Sequence, residues 1–226
     1  AIVENLGAKQ ILFEKLDELT PVSVPILSNT SGLRITEIAA RTRHPERTMT
    51  AHFWFPAHLV PLVEVVMSEF TDPGLAQSVK ELLCGWGKAA VLVRRDTPGQ
   101  LANRVLQAVI REATNIVDIG LASAEDVDLA IKMGMGIRFP VWGPLEHIDA
   151  VGLDLGYSVQ NTVLPEISDS KKPADGLKAH VERGELGFKT GSGYYDWNQK
   201  SMEELAGTRN DFIVHELKFM KARGLV

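Results

Sequence analysis

The chain has 226 residues, 45% of them hydrophobic and 23% charged, with a formal net charge of −5. That length can bury a core in one large domain or two small ones, while the acidic balance argues against a nucleic-acid or anionic-membrane surface, because Arg94-Arg95 and Lys171-Lys172 are isolated basic pairs. No apolar run approaches the ~18 residues of a spanning helix and there is no signal peptide; the single cysteine, Cys84, cannot form an internal disulfide, so a cytoplasmic setting is expected.

In chain order, Ala1-Ile2-Val3-Glu4-Asn5 reads as the tail of a buried strand running into a helix over 8–19. A strand over 24–28, a helix over 35–41, strands over 48–53 and 62–67, a helix over 72–86 and a strand over 89–93 follow. Strands alternating with helices in this way give the rhythm of a layered α/β domain. Asp96-Thr97-Pro98-Gly99 then breaks the chain. Beyond it the apolar residues Leu101, Val105, Leu106, Val109, Ile110, Ala113, Ile116 and Val117 recur at helical spacing over 100–119. Ser123, with Asp126 as a capping-box acid, opens a helix running to about 133. Further helices are expected over 144–151, 154–166 and 174–183, and 202–223 is mixed and amphipathic. The fold class predicted is α/β followed by all-α, with domains over 1–95 and 96–226.

The chemistry gathers around His52-Phe53-Trp54-Phe55-Pro56 and, twelve residues after the histidine, Glu64. A turn through Pro56-Ala57-His58 and Pro61 would bring two strand-borne side chains together. An imidazole, with an ordinary pKa of about 6.5, is a ready proton acceptor when a carboxylate holds it. From these residues alone, a core histidine beside an unrelated acid is an equally good reading.

The ordered set is more specific. It comprises Glu4-Asn5-Leu6 with Lys9, then Ser28-Asn29-Thr30-Ser31, then His52 to Pro56 with Glu64, then Asp96-Thr97-Pro98-Gly99 before Asn103-Arg104. Gly143-Pro144 and Gly187-Phe188-Lys189-Thr190-Gly191-Ser192-Gly193-Tyr194-Tyr195 complete it. In order and spacing it resembles the 3-hydroxyacyl-CoA dehydrogenase family as far as about Trp197. The resemblance implies an NAD enzyme with a Rossmann-type domain and a helical domain that carries a homodimer contact. It matches His52 to the catalytic histidine, Glu64 to its carboxylate partner, Ser31 to a serine that meets substrate and nicotinamide, and Asn103 to an active-site asparagine. Glu4 and Lys9 match residues near the nicotinamide ribose, and Lys189 a lysine that closes on the cofactor. These residue types suit alcohol oxidation: His52 would take the hydroxyl proton, Glu64 would fix its tautomer, and Ser31 and Asn103 would hold the oxygen. Outside that context Ser31 reads as a cap, Asn103 as a helix-start hydrogen bond, and Glu4, Lys9 and Lys189 as solvated surface. The remaining histidines have no metal-ligand spacing, so no metal is expected.

Three departures set the chain apart. No Gly-rich phosphate loop follows an early strand, since Gly85-Trp86-Gly87 precedes a strand and Gly134-Met135-Gly136 lies in the helical half. The chain therefore reads as the C-terminal two-thirds of a dehydrogenase whose first βαβαβ half, a truncation of the Rossmann-type domain, is absent. Phe55 stands where the family motif, His-Phe-Phe-Asn-Pro, has Asn. The segment Gly134-Met135-Gly136-Ile137-Arg138-Phe139-Pro140-Val141-Trp142-Gly143-Pro144 reads as a long, bulky loop. It is similar to that of relatives acting on small free hydroxy acids, such as gulonate and carnitine dehydrogenases, or on a pyridine-carboxylate alcohol. Arg138 could clamp a substrate carboxylate there or sit in a structural salt bridge. The predicted substrate is an L-3-hydroxyacyl-CoA, with a small free hydroxy acid or a non-catalytic dimeric module as the alternatives.

Overall fold

The computed structural model describes residues 2–225. It divides into two compact units, residues 1–106 and 107–226. The expected strand at the chain start is not formed: residues 2–5 are irregular, Ile2 and Val3 are exposed, and Ala1 lies outside the described residues. The reason is local. Asn5 caps helix α1 (Leu6–Leu19) by accepting from the Ala8 amide at 2.9 Å, which starts the helix two residues before the apolar spacing suggests.

Among the described residues four strands follow in the first unit: β1 (Ile26–Ser28), β2 (Thr48–Phe53), β3 (Leu62–Met67) and β4 (Ala89–Val93). They lie side by side in the order β1-β2-β3-β4, and the sheet is Rossmann-like with one inverted pair. β1 runs parallel to β2, and β3 to β4, whereas β2 and β3 are antiparallel in a register that sets His52 opposite Glu64. Helix α2 (Ile35–Ile38) with a following 3₁₀ turn connects β1 to β2, and α3 (Pro73–Gly85), capped by Asp72, connects β3 to β4.

Alternation along the strands splits the core in two. Met49, Ala51, Val63, Val65 and Met67 face α3, packing on Ala76, Val79 and Leu83. Phe13, Ile26, Ile35 and Ile38 form the second cluster, under α1 and α2. Each fully buried valine of β3 contributes about 1.5–3 kcal/mol. The odd-numbered residues of β2 and β3 supply that α3 face, so His52 and Glu64 point to the opposite one.

The second unit is helical: α4 (Ala102–Asp118, which begins in the first unit), α5 (Ala124–Ala130), α6 (Pro144–Val151), α7 (Leu153–Val163), α8 (Asp175–Glu182) and α9 (Met202–Ala222). Ser123 caps α5 as expected, accepting from the Asp126 amide at 3.1 Å. The segment read as a loop from Gly134 differs, because π-helical turns over Ile131–Gly136 prolong α5. Their i→i+5 geometry includes the Ile137 amide bonded to the Lys132 carbonyl at 3.1 Å, and Gly136 packs where a Cβ would lie 3.2 Å from the Ile131 carbonyl oxygen. The mixed C-terminal stretch is one continuous helix capped by Ser201.

Candidate active site

The first unit brings five of the sequence-predicted site residues, Ser31, His52, Glu64, Glu4 and Lys9, to one sheet edge. β1 and β2 are parallel, so their carboxyl ends deliver Asn29-Thr30-Ser31 and His52 to the same end of the sheet, where α/β sheets bind ligands. Asn29 secures this edge, its side-chain oxygen accepting from the Phe53 amide at 2.8 Å. His52 Nδ1 lies 2.8 Å from Glu64 Oε2, and His52 Nε2 lies 3.2 Å from Ser31 Oγ. An ionised carboxylate only accepts, so Nδ1 carries the proton and Nε2 is left as the acceptor, facing the exposed Ser31.

Glu64 is completely buried and every acceptor position is used. Oε2 also accepts from the Trp54 indole at 2.9 Å, while Oε1 accepts from the Leu101 and Ala102 amides, each at 2.9 Å, at the start of α4. Burial pushes this carboxyl up, but the hydrogen bonds from His52, Trp54, Ala102 and Leu101 outweigh it and hold the group below the ordinary carboxylate range. The turn between β2 and β3, whose Phe55–Pro56 peptide is cis, leaves Phe55 exposed.

Glu4 and Lys9, expected as solvated surface when read alone, are joined to this edge. Lys9 is buried and its Nζ meets Glu4 Oε2 at 3.2 Å. Glu4 Oε1 accepts from the Thr30 hydroxyl and from the Gly32 amide, so the acid ties α1 to the loop that carries Ser31. Burial raises the Glu4 carboxyl, and the bonds from Thr30, Lys9 and Gly32 bring it below its usual range. Asn103 sits half-buried in the first turn of α4.

Gln100 was not legible in advance. It is buried at a left-handed φ of 50° and donates from Nε2 to the Thr30 carbonyl at 2.9 Å. The residue just before the Glu64-binding amides thereby holds the Ser31 loop as well. The first compact unit runs past the break at 96–99 to Leu106, inside α4. Trp54 carried a readable signal: it stands two residues after His52, just past the end of β2, and its indole reaches the same carboxylate.

Arg138 and Lys189 belong to the second unit. Arg138 is exposed and its Nε donates to the Gly134 carbonyl at 2.7 Å, and it makes no ion pair among the described residues. Lys189 is exposed beside a cavity of about 480 Å³ that His180, Tyr194, Tyr195 and Trp197 also line. The glycines around it serve packing: at Gly193 a Cβ would come 2.9 Å from the Gly187 Cα, across the bridge that pairs Gly187 with Ser192. Among the described residues no group of three His, Cys, Asp or Glu side chains could hold a metal ion.

Residues 1–97 match the family described as 3-hydroxyacyl-CoA dehydrogenase, NAD binding domain, and residues 99–197 its C-terminal domain. The expectation that the N-terminal half of the nucleotide domain is absent is not borne out, because the NAD-binding match spans 1–97. A probable 3-hydroxybutyryl-CoA dehydrogenase of Bacillus subtilis is 41% identical over 202 residues, 89% of this chain and 69% of that protein. The 5-formyl-3-hydroxy-2-methylpyridine 4-carboxylate 5-dehydrogenase of Mesorhizobium japonicum is 29% identical over 222 residues, 98% of this chain and 72% of that protein. Among solved structures, a 5-dehydrogenase of that pyridine carboxylate, titled an NAD+-dependent dismutase, superposes with a TM-score of 0.91 at 29% identity, covering 97% of this chain and 71% of that one. A 3-hydroxybutyryl-CoA dehydrogenase from Escherichia coli K12 gives 0.69 at 35% identity, covering 88% and 42%.

Proposed function

The chain belongs to the 3-hydroxyacyl-CoA dehydrogenase family, a family of NAD-dependent enzymes, and from that premise we propose that it oxidises the secondary alcohol of an L-3-hydroxyacyl-CoA with His52 as general base. The observation that carries this reading is the chain of contacts from Ser31 Oγ to His52 Nε2 and from His52 Nδ1 to Glu64. The substrate hydroxyl gives its proton to Nε2 as the carbonyl forms. Glu64 keeps the ring in the right tautomer and stabilises the imidazolium. Ser31 and Asn103 orient the oxygen. NAD, when bound, would supply the hydride acceptor for the substrate carbon.

The residues at the carboxyl ends of β1 and β2 fit the nicotinamide end of that cofactor. Ser31 is exposed there, and the Glu4 side chain keeps 47% of its surface accessible although it bonds Lys9, Thr30 and Gly32. Lys189 is the residue of the second unit proposed to meet the cofactor.

The test is His52→Ala, assayed with 3-hydroxybutyryl-CoA and NAD in oxidation and acetoacetyl-CoA and NADH in reduction. Turnover should fall about 10²–10⁴-fold, the usual worth of a positioned base. Unchanged turnover would remove the proposed base.

A second reading, a small free carboxylate substrate, is favoured by the TM-score of 0.91 to the pyridine-carboxylate enzyme over 97% of this chain. In it Arg138 clamps the carboxylate with the guanidinium nitrogens other than Nε. Arg138→Ala separates the two, since it should lower kcat/KM for a small hydroxy acid and leave acetoacetyl-CoA reduction unchanged.

We also propose a homodimer formed through the helical unit. In that unit Val127 is the only hydrophobic residue buried in the core among the described residues, while Leu145, Leu153, Tyr157 and Leu164 are among the large apolar side chains left exposed.

A further inference from the structure

We propose that Trp54 is a positioning residue that sets the proton affinity of His52 by sharing its carboxylate oxygen. This rests on the reading of His52 and Glu64 as the base and its partner. Trp54 Nε1 and His52 Nδ1 reach the same atom, Glu64 Oε2, at 2.9 and 2.8 Å. The other oxygen cannot relieve them, because Oε1 is taken by the Leu101 and Ala102 amides. Each oxygen therefore carries two donors, in a site with no exposed carboxylate surface.

The consequence for the imidazole follows from charge. An imidazolium is stabilised by the negative charge its Nδ1–H faces, and that charge is greatest on an oxygen with no other donor. The indole N–H draws on Oε2 and lowers what His52 receives. Removing the indole N–H should therefore leave the imidazolium better held. The indole also pins the carboxylate plane, which fixes the line from Nδ1 through the ring to Ser31. The contact is not stacking: the two rings are 6.0 Å apart at the centroids and inclined by 57°. In the His-Phe-Phe-Asn-Pro form of the motif this place is held by Phe, which has no N–H to give.

The experiment is an NMR titration of labelled histidine in the full chain, with the His52 signal identified by its loss in His52→Gln. Two replacements remove the indole N–H: Trp54→Phe, and 3-benzothienylalanine at position 54, which keeps the bicyclic shape. In both, the His52 midpoint should rise by about 0.5 unit or more. The pH profile of kcat/KM for acetoacetyl-CoA with NADH should move to higher pH by the same amount. A His52 midpoint unchanged in a folded benzothienylalanine protein overturns the proposal, as does a shift confined to Trp54→Phe, which would make shape the cause. Glu64→Gln separates this failure from failure of the base pair. If it lowers the midpoint while the Trp54 replacements do nothing, only the role of Trp54 falls. If it leaves the midpoint unchanged, the base-pair reading falls and this proposal with it.

Discussion

Glu64 of β3 holds the first amide of α4 directly: its Oε1 lies 2.9 Å from the Ala102 nitrogen. A buried carboxylate at a helix N-terminus gains from the helix dipole and satisfies amides that the helix itself cannot. The same carboxylate bonds His52 through its other oxygen. One side chain thus orients the proposed base and anchors the start of the helix that carries Asn103, so the geometry of the site and the stability of that helix start are coupled.

Glu64→Ala should therefore destabilise the protein as well as impair turnover. It leaves the Leu101 and Ala102 amides and the Trp54 indole without their acceptor. At roughly 1–3 kcal/mol for each buried unsatisfied group, urea unfolding should show a loss of about 3 kcal/mol or more. A loss below about 1 kcal/mol would mean that water takes over these bonds.

The pH dependence follows from the same group. The folded carboxyl titrates below its unfolded value, despite burial that pushes it up, because His52, Trp54, Ala102 and Leu101 stabilise the anion. Its contribution is full above the ordinary glutamate pKa of about 4.3 and is lost as pH falls through the lower folded value. Urea midpoints should fall more steeply with acid in the wild type than in Glu64→Gln. Parallel acid limbs would contradict this.

Gln100 offers a test of backbone strain separated from side-chain bonding. Its φ of 50° is costly for any residue with a Cβ, and its amide bonds the Thr30 carbonyl at 2.9 Å. Gln100→Ala and Gln100→Gly both lose that bond, but only glycine relieves the backbone. The glycine variant should be the more stable of the two by about 1 kcal/mol in urea unfolding. The reverse order would show that the left-handed conformation relaxes on substitution.

Arg47 should be far more sensitive than its place in a short turn suggests. It is fully buried, makes two bonds to Asp17 Oδ1 at 3.0 and 2.6 Å, and also meets the Thr20, Pro21 and Val24 carbonyls. Arg47→Met takes the guanidinium away from a buried acid and three carbonyls, so a loss of about 3–5 kcal/mol is expected from equilibrium unfolding. A near-neutral result would mean that Asp17 is satisfied by the Arg43 and His44 amides alone.

The strands of the central sheet were legible because their signals are local. The runs at 48–53, 62–67 and 89–93 are largely apolar or β-branched and are preceded by Arg47, Pro61 and Lys88, and they form β2, β3 and β4 at those bounds. The pairing of His52 with Glu64 was legible because a single turn separates their strands. Contacts closed by remote segments were not. Nothing near Glu64 announces that residues 101–102 will supply amides, and nothing near Lys9 that Thr30 will fix its partner Glu4. The π-helical turns after Ala130 escaped for another reason, since glycines inside an apolar run read as a loop when helical packing can instead exploit their missing Cβ.

The helical unit should not exist alone in solution. Its apolar side chains include Leu145 at 75% exposure and Tyr157 at 71%, and such a surface stays soluble when another protein surface covers it. Because most soluble oligomers are closed homo-oligomers, and C₂ dimers the commonest, a second copy of the chain is the expected cover. Sedimentation equilibrium should give about twice the 24.8 kDa chain mass. Replacing Leu145 and Tyr157 together by Glu tests whether these side chains lie in the covered surface: a shift toward 24.8 kDa places the contact there, while an unchanged dimer places it elsewhere on the unit. A wild-type protein at 24.8 kDa across the micromolar range would overturn the dimer outright.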